Sequence, residues 1–249
     1  MMARALRLLP ALLLAVLLAP QALPQTVSVD LGTGQGLTSG IVQLIAAITV
    51  LSLAPSILVM TTSFVRIVVV LSLLRTAIGL QNAPPNSVVI ALSLFLTGFV
   101  MAPTFAASYE AGIQPFMAEA ITLEEAIPRA LGPVQQFMGA HVNAEDLALF
   151  ANMARIENLQ TPADAPFHVL APAFMISELK RAFEIGFMVF LPFLVIDLVV
   201  SSILMAMGMM MLPPITISLP FKLIFFVLVD GWRLLSGSLV ESFMNAPPS

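Results

Sequence analysis

A chain of 249 residues that is 59% hydrophobic and only 10% charged, with a mean hydropathy of +1.01, cannot cover a globule with polar surface, for which about 25% charge is usual. It belongs in a membrane or in a tight apolar assembly. A formal charge of −4 without a basic patch argues against nucleic acid, the absence of cysteine excludes disulfides and thiolate chemistry, and two histidines, His141 and His168, leave little for metal or acid–base work.

Residues 1–22 read as a secretory signal. MMARALR carries Arg4 and Arg7, the apolar run LLPALLLAVLLA follows, and PQALPQ closes it. Cleavage after Ala22 puts a small residue at the −1 position, although Pro20 fits poorly at −3. An uncleaved anchor is the alternative, but the run is short for the ~20 residues of a span. Cleavage leaves a mature N-terminus facing the periplasm. Residues 23–40, ending LGTGQGLTSG, read as a linker.

Four apolar blocks follow. The N-terminal pair, within 41–109, comprises Ile41 to about Leu74, interrupted by Pro55 and Arg66, and Ser87 to Tyr109, uncharged until Glu110. The C-terminal pair, within 185–244, comprises Ile185 to Leu212, carrying Asp197, and Ile215 to about Val240, carrying Lys222, Asp230 and Arg233. Each exceeds the ~20 residues a spanning helix needs. The blocks are continuously apolar rather than alternating, which predicts helices and not barrel strands. Pro192 predicts a kink in the third.

Between the pairs lies a polar segment, 110–184. Its first part, 110–164, holds eight acidic residues against Arg129 and Arg155. TLEEAIPRAL predicts a helix capped by Thr122. NAEDLALFANMARI predicts one capped by Asn143, with Leu147, Phe150 and Ile156 on one face. The segment reads as a small helical subdomain outside the cytoplasm, because Arg66, Arg75 and Lys222 place the loops after the first and third blocks on the cytoplasmic side. In PAFMISELKRAFEIGFMVFLPF, Glu178 and Arg181 are three apart and Lys180 and Glu184 four apart, spacings that pair charges on a helix face. These four charges mark the entry into the third block.

No catalytic pattern appears: no nucleophile elbow, zinc-protease helix, phosphate loop or dinucleotide turn. Asp197 and Asp230 lack the Gly-x-Gly-Asp setting of an intramembrane aspartyl protease. An ionisable group at Asp197 costs ~3 kcal/mol or more in hydrocarbon, so it should face protein or water and find a partner. Lys222 is that candidate. The two are level in a hairpin whose tip is Met209-Met210, and offset by about 9 Å if the tip is Pro213-Pro214. Arg66 is either another interior charge with a partner or a sign that its helix is not lipid-covered. LMAMGMMMLPP gathers Met205, Met207, Met209, Met210 and Met211 at a bend, which Gly208 loosens and Pro213-Pro214 ends. Core filler is one reading of that run.

MTTSFVRIVVVLSLLRTAIG with APPN, YEAGIQPF, PAFMISELKRAFEIGFMVFLPFLVIDLVVSSILMAMGMMMLPP and LPFKLIFFVLVDGW, in that order, resemble the FliP family of flagellar export-gate proteins across 41–244. The resemblance implies an all-α fold of membrane-associated hairpins with a small extracytoplasmic subdomain, assembling into a conical helical ring. It implies a homo-oligomer, a pentamer in the family, alongside FliR, FliQ, FlhB and FlhA. The implied place is the bacterial inner membrane within the flagellar basal body, as a multi-pass protein that passes unfolded flagellar subunits without enzyme activity or cofactor. It also implies that apolar helices need not all cross the bilayer, and that Met209, Met210 and Met211 form a pore constriction. The injectisome counterpart is the near alternative. A small-solute transporter is the alternative of another class, but no inverted repeat relates the two pairs of blocks.

Overall fold

The computed structural model describes residues 36–80, 83–156, 159, 161–209 and 212–244. The expected signal, 1–22, lies outside the described residues, as do Met210 and Met211. The chain divides into two units, Met1–Ser52 and Leu53–Ser249. What is described of the first is the start of helix α1 (Gly36–Met60), which takes in residues 36–40 of the expected linker. Ile41, Val42, Leu44, Ile45 and Ile48 are exposed on it.

In the second unit the first apolar block is two helices, not one. α1 stops before Thr61-Thr62-Ser63, and α2 begins at Phe64 (Phe64–Ile78). The Thr61 hydroxyl donates at 3.0 Å to the Ile57 carbonyl, which the Thr61 N–H also reaches, and the Thr62 hydroxyl donates at 3.2 Å to the Val59 carbonyl, an acceptor that a continuing helix would use. At 15 residues, α2 is below the ~20 that a span requires. It buries Ile67, Val70, Leu71, Leu74, Ala77 and Ile78, spaced as one helical stripe. Gly79, at φ +89°, ends it: the Gly79 N–H donates to Thr76 and the Leu80 N–H to Arg75, a Schellman closure.

α3 (Asn86–Ser108) does not stop at Tyr109 as expected. It runs through a π-turn (Tyr109–Ile113) into the short α4 (Gln114–Met117), a continuous helical rod of 32 residues. The π-turn sets Gly112 against the next helix, α5 (Leu123–His141). A Cβ on Gly112 would lie 2.6 Å from the Ala126 carbonyl and from Ala130, so only glycine fits this crossing. Thr122 occupies the N-cap position of α5, but its side chain makes no capping bond; Glu124 and Glu125 instead place negative charge in the first turn. Asn143 does cap α6 (Ala144–Met153), its Oδ1 accepting the Glu145 N–H at 3.0 Å. Leu147 joins Met138, Val142, Leu170 and Phe174 in a compact core, with Phe150 and Ile156 packed on it.

α7 (Phe167–Ala206) has 40 residues and holds Pro172 and Pro192 without interruption. The change from polar to apolar near residue 185 falls inside it. At 1.5 Å per residue it is about 60 Å long, twice the ~30 Å of a bilayer's hydrocarbon core. Its first half packs on α2, α5 and α6. Gly186 lets α2 approach, since a Cβ there would meet Leu73 at 2.2 Å. Its second half exposes Phe187, Met188, Leu198, Val199 and Ile203.

The fourth block is likewise broken. α8 (Pro214–Leu228) and α9 (Gly231–Met244) meet at 62°. Asp230 takes a left-handed φ of +50°, and Gly231 presses on the Phe226 ring where a Cβ would clash. A cavity of about 580 Å³ remains between α7 and this elbow, walled by Val189, Phe193, Phe226, Leu234 and Leu235. Among the described residues, the helices long and apolar enough to cross a membrane are Asn86–Met117 and Phe167–Ala206, with the bent α8–α9 pair a third if counted as one.

Candidate functional site

α7 and α8 form an antiparallel hairpin whose arms are level, because α7 ends at Ala206 and α8 begins at Pro214. Asp197 and Lys222 face each other within the chain, Nζ to Oδ2 2.7 Å. Lys222 is buried; the Asp197 side chain retains 29% exposure. Lys222 Nζ also donates to the Ala77 carbonyl at 3.1 Å. That carbonyl lies in the last turn of α2, beyond the reach of the Schellman bonds, where the helix end is electronegative. The Ser218 hydroxyl lies 2.6 Å from Asp197 Oδ1. One ammonium thus ties the hairpin to the end of a third helix. Lys222 was visible from the sequence as the one cation of the C-terminal hairpin besides Arg233. Ser218 and the Ala77 carbonyl were not, although Ser218 stands four residues before Lys222 and so on its face of α8.

The second buried charge is Arg66, on α2. Its guanidinium forms a two-pronged pair with Glu178 on α7, Nε to Oε2 2.9 Å, with Nη2 contacting Oε1. Nη1 donates to Ser242 Oγ at 3.0 Å, and the guanidinium carbon stacks 3.7 Å above the Phe243 ring, both on α9. The two side chains are 1% and 0% exposed. Glu178 therefore does not pair with Arg181, as its spacing suggested, nor is Lys180 bonded to Glu184. Glu178 points into the protein, whereas Lys180 and Glu184 are exposed on the other side of α7. Among the described residues, Arg66–Glu178 and Asp197–Lys222 are the ion pairs.

The methionine bend is closed by Gly208 at φ +74°. The Gly208 N–H donates to Met205 and the Met209 N–H to Leu204, a second Schellman closure. α7 thus ends before the run. Pro213-Pro214 starts α8 rather than ending α7, with Pro214 at its first position, where a missing N–H costs nothing. Met205, Met207 and Met209 are exposed, at 59%, 61% and 42%. Met205, Met207 and Met209 are thus not core filler within one chain. Among the described residues no three histidine, aspartate or glutamate side chains gather to hold a metal.

The FliP family profile matches residues 47–239. The flagellar biosynthetic protein FliP of Caulobacter vibrioides is 63% identical over 95% of this chain and 89% of its own length. Proteins of the same name are similar in Bacillus subtilis, at 53% over 82% of this chain and 93% of theirs, and in Pectobacterium carotovorum, at 55% over 82% and 79%.

Proposed function

The chain belongs to the FliP family, and from that premise we propose that it is a pore-forming subunit of a flagellar protein-export gate, conducting unfolded flagellar proteins across the bacterial inner membrane. The identity to FliP relatives over nearly the whole chain carries this reading. Three physical features support it. A 40-residue helix is too long to lie wholly in hydrocarbon, which suits a gate that rises above the bilayer. Two of its charges, Glu178 and Asp197, are paired with cations of other helices inside the protein, where irregular and polar groups are tolerated. And large apolar side chains stand exposed on α3, α7 and α8, including Phe95, Phe99, Phe187 and Val227; these would meet further copies of the chain, five in the family's ring, together with FliR, FliQ, FlhB and FlhA, and lipid. The protein would act as a conduit, with neither enzyme activity nor cofactor, the energy coming from other components.

In that ring Met209, Met210 and Met211 would line the constriction. Thioether side chains are unbranched and polarizable, so they close an empty pore yet yield to a passing chain of changing side chains. The test is co-purification from membranes in mild detergent. A ring of several copies with small membrane proteins attached is the expected result. A monodisperse monomer that binds a small solute would overturn the reading in favour of a transporter.

A further inference from the structure

The C-terminal turn of α9 is held from two sides. Arg66 holds Ser242 and Phe243, as described. His141, the last residue of α5, holds the same turn through its imidazole. Nε2 lies 3.1 Å from the Phe243 carbonyl oxygen, and Nδ1 lies 2.8 Å from the carbonyl oxygen of Phe137, one turn back on α5. The ring is 5% exposed and packed between Phe137 and Phe243, at 4.4 and 5.3 Å between centroids. A carbonyl oxygen only accepts. A neutral imidazole has one N–H and one lone pair, so it can satisfy one of these carbonyls and must set a lone pair against the other; the imidazolium donates to both.

We propose that doubly protonated His141 is a pH-sensitive fastener between the C-terminal end of α9 and α5, and that loss of its proton loosens that end, which Arg66 continues to hold. The electronegative ends of two helices converge on the ring, since His141 closes α5 and Phe243 lies in the last turn of α9. The Phe243 carbonyl has no partner within its own helix, so the imidazolium fills a need that α9 cannot meet itself. Glu178 on α7 adds negative charge close enough to act on the ring. Burial and the Arg66 guanidinium on α2, already bound to Glu178, face the ring as well, while Arg181 on α7 acts on Glu178.

The remaining charges on the packed elements do little to change this balance. α3 has no ionisable group, and Glu110 is exposed in the π-turn. Asp164, in the 3₁₀ turn Pro162–Asp164, is bound to Thr161, and Asp146 on α6 is bound to Ser177. On α7, Lys180 and Glu184 are exposed, and His168 stands at the helix's start. On α9, Glu241 is exposed and Arg233 stands at the far end. Because the imidazolium satisfies both carbonyls and the neutral ring only one, the end of α9 is held most tightly at low pH and loosens as pH rises. α9 is joined to α8 at the Asp230 elbow, so loosening its far end acts on an arm attached to the helix that carries Lys222.

The test uses the full chain in lipid nanodiscs. Hydrogen exchange of residues 236–244, corrected for intrinsic rates, is compared between about pH 6 and about pH 8, the span over which histidine ordinarily titrates. Protection should fall roughly fivefold or more as pH rises, and His141→Gln should remove that pH step. The same step in His141→Gln would overturn the proposal. Because that variant also loses ring packing, a second measurement leaves His141 intact. In His168→Gln the one histidine left is His141, and its ring ¹⁵N signals at about pH 6, the low end of that span, should show both nitrogens protonated. A neutral, single-tautomer ring there would equally overturn it.

Discussion

The molecule holds two ion pairs that look alike and are built differently. Arg66–Glu178 is sealed: both side chains are buried, and the guanidinium spends its donors on a carboxylate, a hydroxyl and an aromatic face from two further helices. Asp197–Lys222 is half open: the lysine is buried, but the aspartate reaches the surface of the hairpin, one helical stretch from the methionine turn. The first pair joins α2, α7 and α9 into one body. The second keeps two arms of a hairpin in register and pins them to the end of α2. Charge buried on both sides makes a closed joint; charge buried on one side leaves the joint open to water.

That contrast is broken most severely at the sealed pair. Glu178→Gln removes the countercharge and leaves a guanidinium 1% exposed with no anion. Breaking such a pair costs about 3–5 kcal/mol, a large part of a typical total stability. The expected outcome is loss of the folded chain from membranes, or a melting temperature lowered by many degrees in detergent. Arg66→Met with Glu178→Leu should recover much of the loss, because it buries neither charge. A double variant no better than Glu178→Gln would show that the joint depends on Ser242 and Phe243 more than on the carboxylate.

The open pair should be more forgiving. Asp197→Ala strips Lys222 of its anion but leaves it the Ala77 carbonyl, and water can reach the vacated side. We expect a loss of about 1–3 kcal/mol, seen as reduced melting temperature and reduced export. Exchanging the charges, Asp197→Lys with Lys222→Asp, should restore part of it. If the exchange costs as much as its two single changes added together, the pair contributes no direct coupling. Smaller still is the loss at the helix cap: Asn143→Ala, which removes a single exposed acceptor from α6, should cost about 1 kcal/mol in thermal stability and leave export unchanged.

How far the sequence revealed these sites follows from the same contrast. Asp197 is the one charge of its apolar block and Lys222 one of two cations in the next, so each pointed to the other, while their register depended on where the hairpin tip falls. Arg66 was equally conspicuous, but its partner is 112 positions away in a segment rich in charge, where Arg181 offered Glu178 a nearer partner. Long-range pairing in a polar neighbourhood leaves no periodic mark. The helix breaks were hidden for related reasons. Thr61-Thr62-Ser63 ends α1 through side-chain bonds to the backbone, although hydroxyl residues are common inside apolar helices. Asp230 adopts a left-handed backbone that glycine usually signals, while the adjacent Gly231 is needed for close packing. Gly208, by contrast, does what glycine is expected to do, and its bend was legible.

The smallest effect on stability, and the most specific on function, is expected beyond the open pair. Met209 is 42% exposed, so it contributes little packing within the chain, and truncating it cannot open a core cavity of the kind that costs several kcal/mol. Met210 and Met211 lie outside the described residues; with Met209 they form the proposed constriction of the gate. Replacing all three by alanine should therefore leave melting temperature and ring assembly nearly unchanged. Ion leakage should rise, because alanine is too short to close the gap between copies and a wider apolar ring admits water. Valine at the three positions should seal but resist a passing chain, being stiff at χ1, so leakage should stay low while export slows. Single alanine replacements should be mild, since neighbouring thioethers can swing into the space. Conductance of liposomes carrying each assembled variant separates these outcomes. Unchanged leakage in a normally assembled triple-alanine ring would remove the methionines from the seal, and leave the hairpin below it, with its Asp197–Lys222 clasp, as the element to examine for closure.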